Sequence, residues 1–301
     1  MASVSKPKSA VMIATVGCVA FWTAFRVLRQ KVIDALAKVG VTAVPPIDFY
    51  DALVETGKNV IDAANLRQRK CPIKPDSLSR TGVGVEFYQT FKGDKQNQRE
   101  FLFSLGVDDK NTVFVIQVGV NPALQAFFAN PQVDAILNTL YQKHLAYMPS
   151  RDVTDALVGL ISSQKGIPMK QTGGVYFVPD CAVAAVDSVF HDLNAAGCRC
   201  TLLKQDLRNN PELVKQVLEA TNDTLVEECA KMNEVMQDIL DNDKAPRANG
   251  MATRMQQLAE FAELAKYYEE QFGTNLQAAG EAMKKSCELL AELQIRKSAG
   301  K

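Results

Sequence analysis

The sequence predicts an α+β protein: an antiparallel sheet with flanking helices over residues 1–207, followed by an antiparallel helical hairpin or bundle over 208–301. Three observations carry this. The runs 81–91, 100–107 and 112–120 are alternating or almost wholly apolar, with short polar breaks between them, as in an antiparallel meander. The stretch 165–207 reads as a glycine turn, a short aromatic strand, an N-capped helix and a return strand. From Asn210-Pro211 onward, apolar residues step by three and four over three long stretches with short breaks.

Taken in order, residues 10–25 carry no charge and lie between Lys6 and Lys8 on one side and Arg26 on the other. They fall short of the ~20 apolar residues of a membrane span, so a buried strand over 10–19 is preferred to a membrane segment, and no membrane partner is expected. Phe21, Phe25, Leu28, Val32, Leu36 and Val39 then suggest a helix stopped at Gly40. After Pro45-Pro46 a second amphipathic helix uses Phe49, Leu53, Val60 and Ala64, weakened by Gly57 in its middle. Residues 67–80 form a basic connector carrying Arg67, Arg69, Lys70, Lys74 and Arg80.

In the meander, alternation puts Val83, Val85 and Phe87 on one face of the first strand, and Phe101, Phe103 and Leu105 on one face of the second. Tyr88 is then the aromatic residue best placed to stack a base. Gly82-Val83-Gly84 stands at the start of a strand and lacks a third glycine, so it is not a phosphate loop. Asn121-Pro122 opens helices at 122–129, 132–146 and 151–164, and a hairpin follows at 167–178. Three helices and a hairpin make a candidate sub-unit over 121–207, in the order of a winged helix, whose third helix enters the major groove. Its cations are Arg151, Lys165 and Lys170, with Asp152 and Asp155 among them.

Formal net charge is zero, so bulk charge dictates no partner. The acidic excess of 211–301 nevertheless leaves a positive excess in the first 210 residues. Seven cysteines, odd in number and irregular in spacing, read as reduced thiols of a cytoplasmic protein. Cys181, His191, Cys198 and Cys200 lack the spacing of a zinc knuckle and are assigned to packing; no metal or cofactor is expected. With two histidines, no Gly-x-Ser-x-Gly, no Walker loop and no His-Glu-x-x-His, the common catalytic templates are missing.

The run Gly173-Gly174-Val175-Tyr176-Phe177-Val178-Pro179, with the helix, strand and acidic helical part behind it and the segment around Trp22, resembles an uncharacterised family borne by phages and plasmids. The likeness covers most of the chain. It implies a cytosolic accessory protein of a mobile element and transfers no catalytic residue. The expectation is therefore a non-enzymatic protein associated with nucleic acid in replication or recombination. Its candidate contacts are Arg67, Arg69, Lys70, Lys74, Arg80, Tyr88, Arg151, Lys165 and Lys170. The alternatives are a homo-oligomeric scaffold assembled through 208–301, and an enzyme with an unrecognised site.

Overall fold

The computed structural model describes residues 17–66, 73–77, 84–91, 98–170, 174–207, 210–242 and 248–299. They form two compact units, both discontinuous in sequence. A meander unit holds 24–34 and 42–156; a bundle unit holds the described parts of 1–23, 35–41 and 157–301. The division falls inside α1 (Arg29–Ala37) and inside α5 (Ser150–Ser163).

The meander unit is built on the antiparallel strands β3 (Ile73–Ser77), β4 (Gly84–Phe91), β5 (Gln98–Val107) and β6 (Val113–Val118), neighbours in that order. Helices α2 (Phe49–Ala63), α3 (Pro122–Phe128) and α4 (Val133–Leu145) share one core with the sheet, in which Leu53, Val60, Val85, Phe87, Phe103, Leu105 and Leu137 are buried. The helix starts follow the local chemistry. Asp48 accepts the Asp51 amide, and Asn121 accepts the Ala123 and Leu124 amides with Pro122 at the first helical position. A short pair, β2 (Val27–Leu28) with β7 (Tyr147–Met148), completes the unit.

The bundle unit centres on β1 (Gly17–Thr23), flanked by β10 (Arg199–Gln205) and β9 (Tyr176–Pro179); β8 (Ile167–Pro168) pairs with β9. On one side of this sheet lies α6 (Asp180–Ala195), where Trp22 stacks on Tyr176 at 4.9 Å and meets the Phe190 ring edge-on at 6.1 Å. Ile167, Phe177 and Leu207 instead share a core with Leu213, Val217, Tyr268 and Leu276 of the C-terminal segment. That segment is α7 (Pro211–Asp241), α8 (Ala248–Phe272) and α9 (Gln277–Ala299). Asn222 Oδ1 accepts the Ala279 amide and Arg296 donates to the Leu240 carbonyl, so α7 and α9 run parallel. Gln294 reaches Met255, which sets α8 antiparallel to α9. The heptad-like stripe Leu225, Cys229, Met232 and Met236 is buried inside this three-helix bundle.

Several expectations are corrected. The first helix begins at Arg29, and Phe21 belongs to β1, where strand alternation buries Cys18 and Ala20 and turns Phe21 outward. Phe25 and Leu28 are exposed rather than part of a buried helical stripe. The connector 67–80 contains an edge strand, β3, and the strand expected over 10–16 lies outside the described residues. The hairpin is no free wing: β9 pairs with β1, while α3 and α4 belong to the meander core. The grouping 121–207 is thus divided between the two units at residue 156, while 208–301 falls wholly within the bundle unit, together with β1 and 157–207. The six described cysteines are free, with Cys18, Cys198, Cys200 and Cys229 buried. No helix among the described residues is long and apolar enough to cross a membrane.

Candidate functional site

The face of the meander sheet turned away from the core carries the sequence-predicted Lys74 and Tyr88. Register defines its rows. Lys74 stands opposite Tyr88, and Tyr88 opposite Phe101. The next row is Asp76, Glu86 and Ser104. The one after that is Gly84, Gly106 and Phe114. Residues directly opposite on neighbouring strands share a face, so each row lies on one face of the sheet.

A bulge produces this arrangement. Phe87 pairs with Phe103, yet Tyr88 pairs with Phe101, leaving Leu102 as an extra residue in β5. Plain alternation would put Phe101 and Phe103 on one face. The extra residue sends Phe103 into the core, stacked on Phe87 at 4.7 Å, and Phe101 to the outer face, where its ring meets Tyr88 edge-on at 5.6 Å. A second bulge at Ile116, between Val115 and Gln117, leaves Phe114 and Ile116 lying over Gly106 and 44% and 50% exposed.

The polar groups hold the aromatic ones. The Arg99 guanidinium lies over the Tyr88 ring at 4.5 Å and is ion-paired with Asp76. The Tyr88 hydroxyl donates to Glu86 at 2.7 Å, a bond that, with some burial, raises the phenol's pKa above its usual range. Two cations and two carboxylates therefore share the face with an aromatic pair and an exposed apolar strip. Such a surface can stack planar rings. Arg99 and Asp76 are the members that sequence reasoning misses, whereas Glu86, Phe101 and Phe114 are visible in the strands of the sequence without being taken as contacts.

The other predicted contacts do not all join this face. Arg67, Arg69, Lys70 and Arg80 lie outside the described residues, before and after β3 in the chain. Arg151 is exposed in the first turn of α5 and pairs with Asp155 at 4.0 Å. In the bundle unit, the Lys165 ammonium rests 4.6 Å from the centre of the Tyr267 ring, and its carbonyl accepts the Tyr268 hydroxyl. Lys170 lines a cleft of about 550 Å³ with Glu219, Asp223, Glu227 and Glu228, surroundings that repel phosphate.

A second polar cluster in the meander unit surrounds Arg26. Its guanidinium lies 3.4 Å from Asp51 and 3.5 Å from Glu55 and donates to the His144 carbonyl; Asn59 Nδ2 is 3.2 Å from His144 Nε2. Burial and the Arg26 charge hold the His144 pKa below its ordinary value, and burial raises that of Asp51. Opposed shifts of this kind suit acid–base chemistry. Here, however, the bonds run between the cluster's own members and tie Arg26 to α2 and the end of α4. A pH dependence follows. The unfolded histidine takes a proton near pH ~6.5 and the folded one only at lower pH, so the unfolded chain binds more protons in between. Stability is thus full above that window and falls as pH drops through it. The urea midpoint is expected to fall between about pH 7.5 and about pH 5.5, and His144→Gln to flatten that fall.

A family model described as a family of unknown function (DUF6744) matches residues 102–299, from within β5 to the end of α9. No curated protein and no solved structure matches the chain.

Proposed function

The chain belongs to this family of unknown function, DUF6744, and from that premise we propose that it is a non-enzymatic, cytoplasmic accessory protein of a mobile element that associates with nucleic acid through the outer face of the meander sheet. One observation carries the reading: Tyr88 stands in a row between Lys74 and Phe101, with the Arg99 guanidinium on its ring. Aromatic rings that stack bases beside cations that reach phosphates are the elements of single-strand binding surfaces. The basic residues Arg67, Arg69, Lys70 and Arg80 flank β3, the edge strand that supplies Lys74. The likeness of Gly173–Pro179 to phage- and plasmid-borne proteins supports the mobile-element setting. In the fold its last four residues are the buried strand β9, so they act in packing and not at this face.

Fluorescence anisotropy of labelled oligonucleotides tests the reading. Tyr88→Ala is expected to weaken binding about tenfold, since one base stack is worth roughly 1–3 kcal/mol. Lys74→Ala should reduce the salt slope by about 1. Unchanged affinity in both variants would remove this face from the function.

A further inference from the structure

We propose that this face takes single-stranded nucleic acid with its bases toward the sheet, and that Asp76 and Glu86 are the residues that make it reject duplex. The inference rests on the nucleic-acid reading above and names the class of ligand within it.

Along β3, Lys74 and Asp76 are two residues apart, a spacing of about 6.7 Å. Across the strands, Asp76 stands opposite Glu86, which neighbours Tyr88 along β4. Each cation on the face thus has a carboxylate within a Debye length of about 8–10 Å. Duplex DNA offers a rigid array, about one charge per 1.7 Å of axis, and turns its bases inward. Laid on this face, such an array meets Asp76 and Glu86 wherever it meets Lys74 and Arg99. A single strand is free of that constraint. Its backbone can run along the Lys74 margin while its unpaired bases turn to the rings.

The carboxylates also prepare the rings. Asp76 holds the Arg99 guanidinium over Tyr88, and Glu86 holds the Tyr88 hydroxyl at 2.7 Å. Both planar groups are oriented before a ligand arrives, which lowers the ordering cost of stacking on them. Beyond them, Gly106 leaves room for Phe114 and Ile116. A Cβ on Gly106 would stand 2.8 Å from Phe114 Cζ, too close for a real contact. The apolar strip therefore extends across β6 on the same face.

The test compares a short labelled single strand with the duplex made from it, on the full chain and on the Asp76→Asn/Glu86→Gln variant. Both substitutions keep an acceptor oxygen, so the contacts to Arg99 and Tyr88 persist, and circular dichroism confirms the fold. The wild type is expected to bind the single strand about tenfold tighter than the duplex. Its single-strand log–log salt slope should correspond to one or two phosphates, about −0.7 to −1.4. In the double variant duplex binding should strengthen severalfold and the preference narrow. Equal binding of duplex by the wild type, a salt slope demanding four or more phosphates, or an unchanged preference in the double variant overturns the inference and leaves the nucleic-acid function standing. Absence of binding to either oligonucleotide at low salt overturns both.

Discussion

A chain ended at Leu207 is expected to lose the β1-centred sheet altogether. Ile167 and Phe177 are 1% and 2% exposed in the full chain, and much of what covers them comes from beyond residue 207: Leu213, Val217, Leu225, Tyr268, Leu276 and Ala279 belong to the same core. Full burial of one large apolar side chain is worth roughly 1.5–3 kcal/mol, so removing several such partners matches the whole stability of a domain, about 5–15 kcal/mol. The truncation also removes the Tyr268 hydroxyl that satisfies the Lys165 carbonyl at 2.7 Å. Trp22 is the single tryptophan and is stacked on Tyr176 in this sheet, so its emission reports the outcome. A red-shifted, readily quenched Trp22 is expected in the truncated chain. Emission like that of the full chain would show that the sheet stands without the bundle. In the full chain, Tyr268→Ala should act in the same direction at about 3–5 kcal/mol.

Gly57→Ala is expected to destabilise the meander unit, against the sign that helix propensity predicts. Alanine in the middle of α2 should favour the helix by about 0.5–1 kcal/mol. At this position, however, a Cβ would stand 2.8 Å from Phe87 Cε1 and closer still to Cζ. Phe87 cannot give way readily: it is 1% exposed and stacked on Phe103. Overpacking of this kind costs about 1–3 kcal/mol, which outweighs the propensity gain. Phe87→Ala alone should cost about 3–5 kcal/mol. In that background the Gly57→Ala change should become neutral or stabilising, because the ring it strikes is gone. A double-mutant cycle by urea denaturation measures this inversion. A Gly57→Ala protein more stable than wild type would show that α2 shifts to accommodate the methyl.

These two cases mark where local reading ends. Gly57 looks like a weak point in a helix because sequence shows its backbone preference and conceals the ring above it. The helices 208–301 look like a separate domain because their apolar stripes are self-consistent at a period near 3.6. Nothing in that period says that Leu213, Val217 and Tyr268 also cover Phe177. At the candidate site, Lys74 and Tyr88 were legible as an exposed cation and an out-facing ring. Arg99 and Asp76 were not, since their pairing joins residues 23 apart across β3 and β5. Phe101 was assigned to the wrong face through the one residue, Leu102, that the bulge adds.

The amino-acid order by itself determined the kinds of element and many of their ends. Asn121-Pro122 and Asn210-Pro211 cap and start helices through bonds to their own next turn, and alternation marks β4, β5 and β6 within a few residues. Those signals are free energies of neighbouring residues, and they survive in any fold. Only the tertiary structure decided which face each strand shows, which ring fills the space over Gly57, and which sheet the C-terminal helices cover. Register and packing partners depend on residues far apart in the chain, and a single inserted residue inverts a face without altering the composition or period of the strand that carries it.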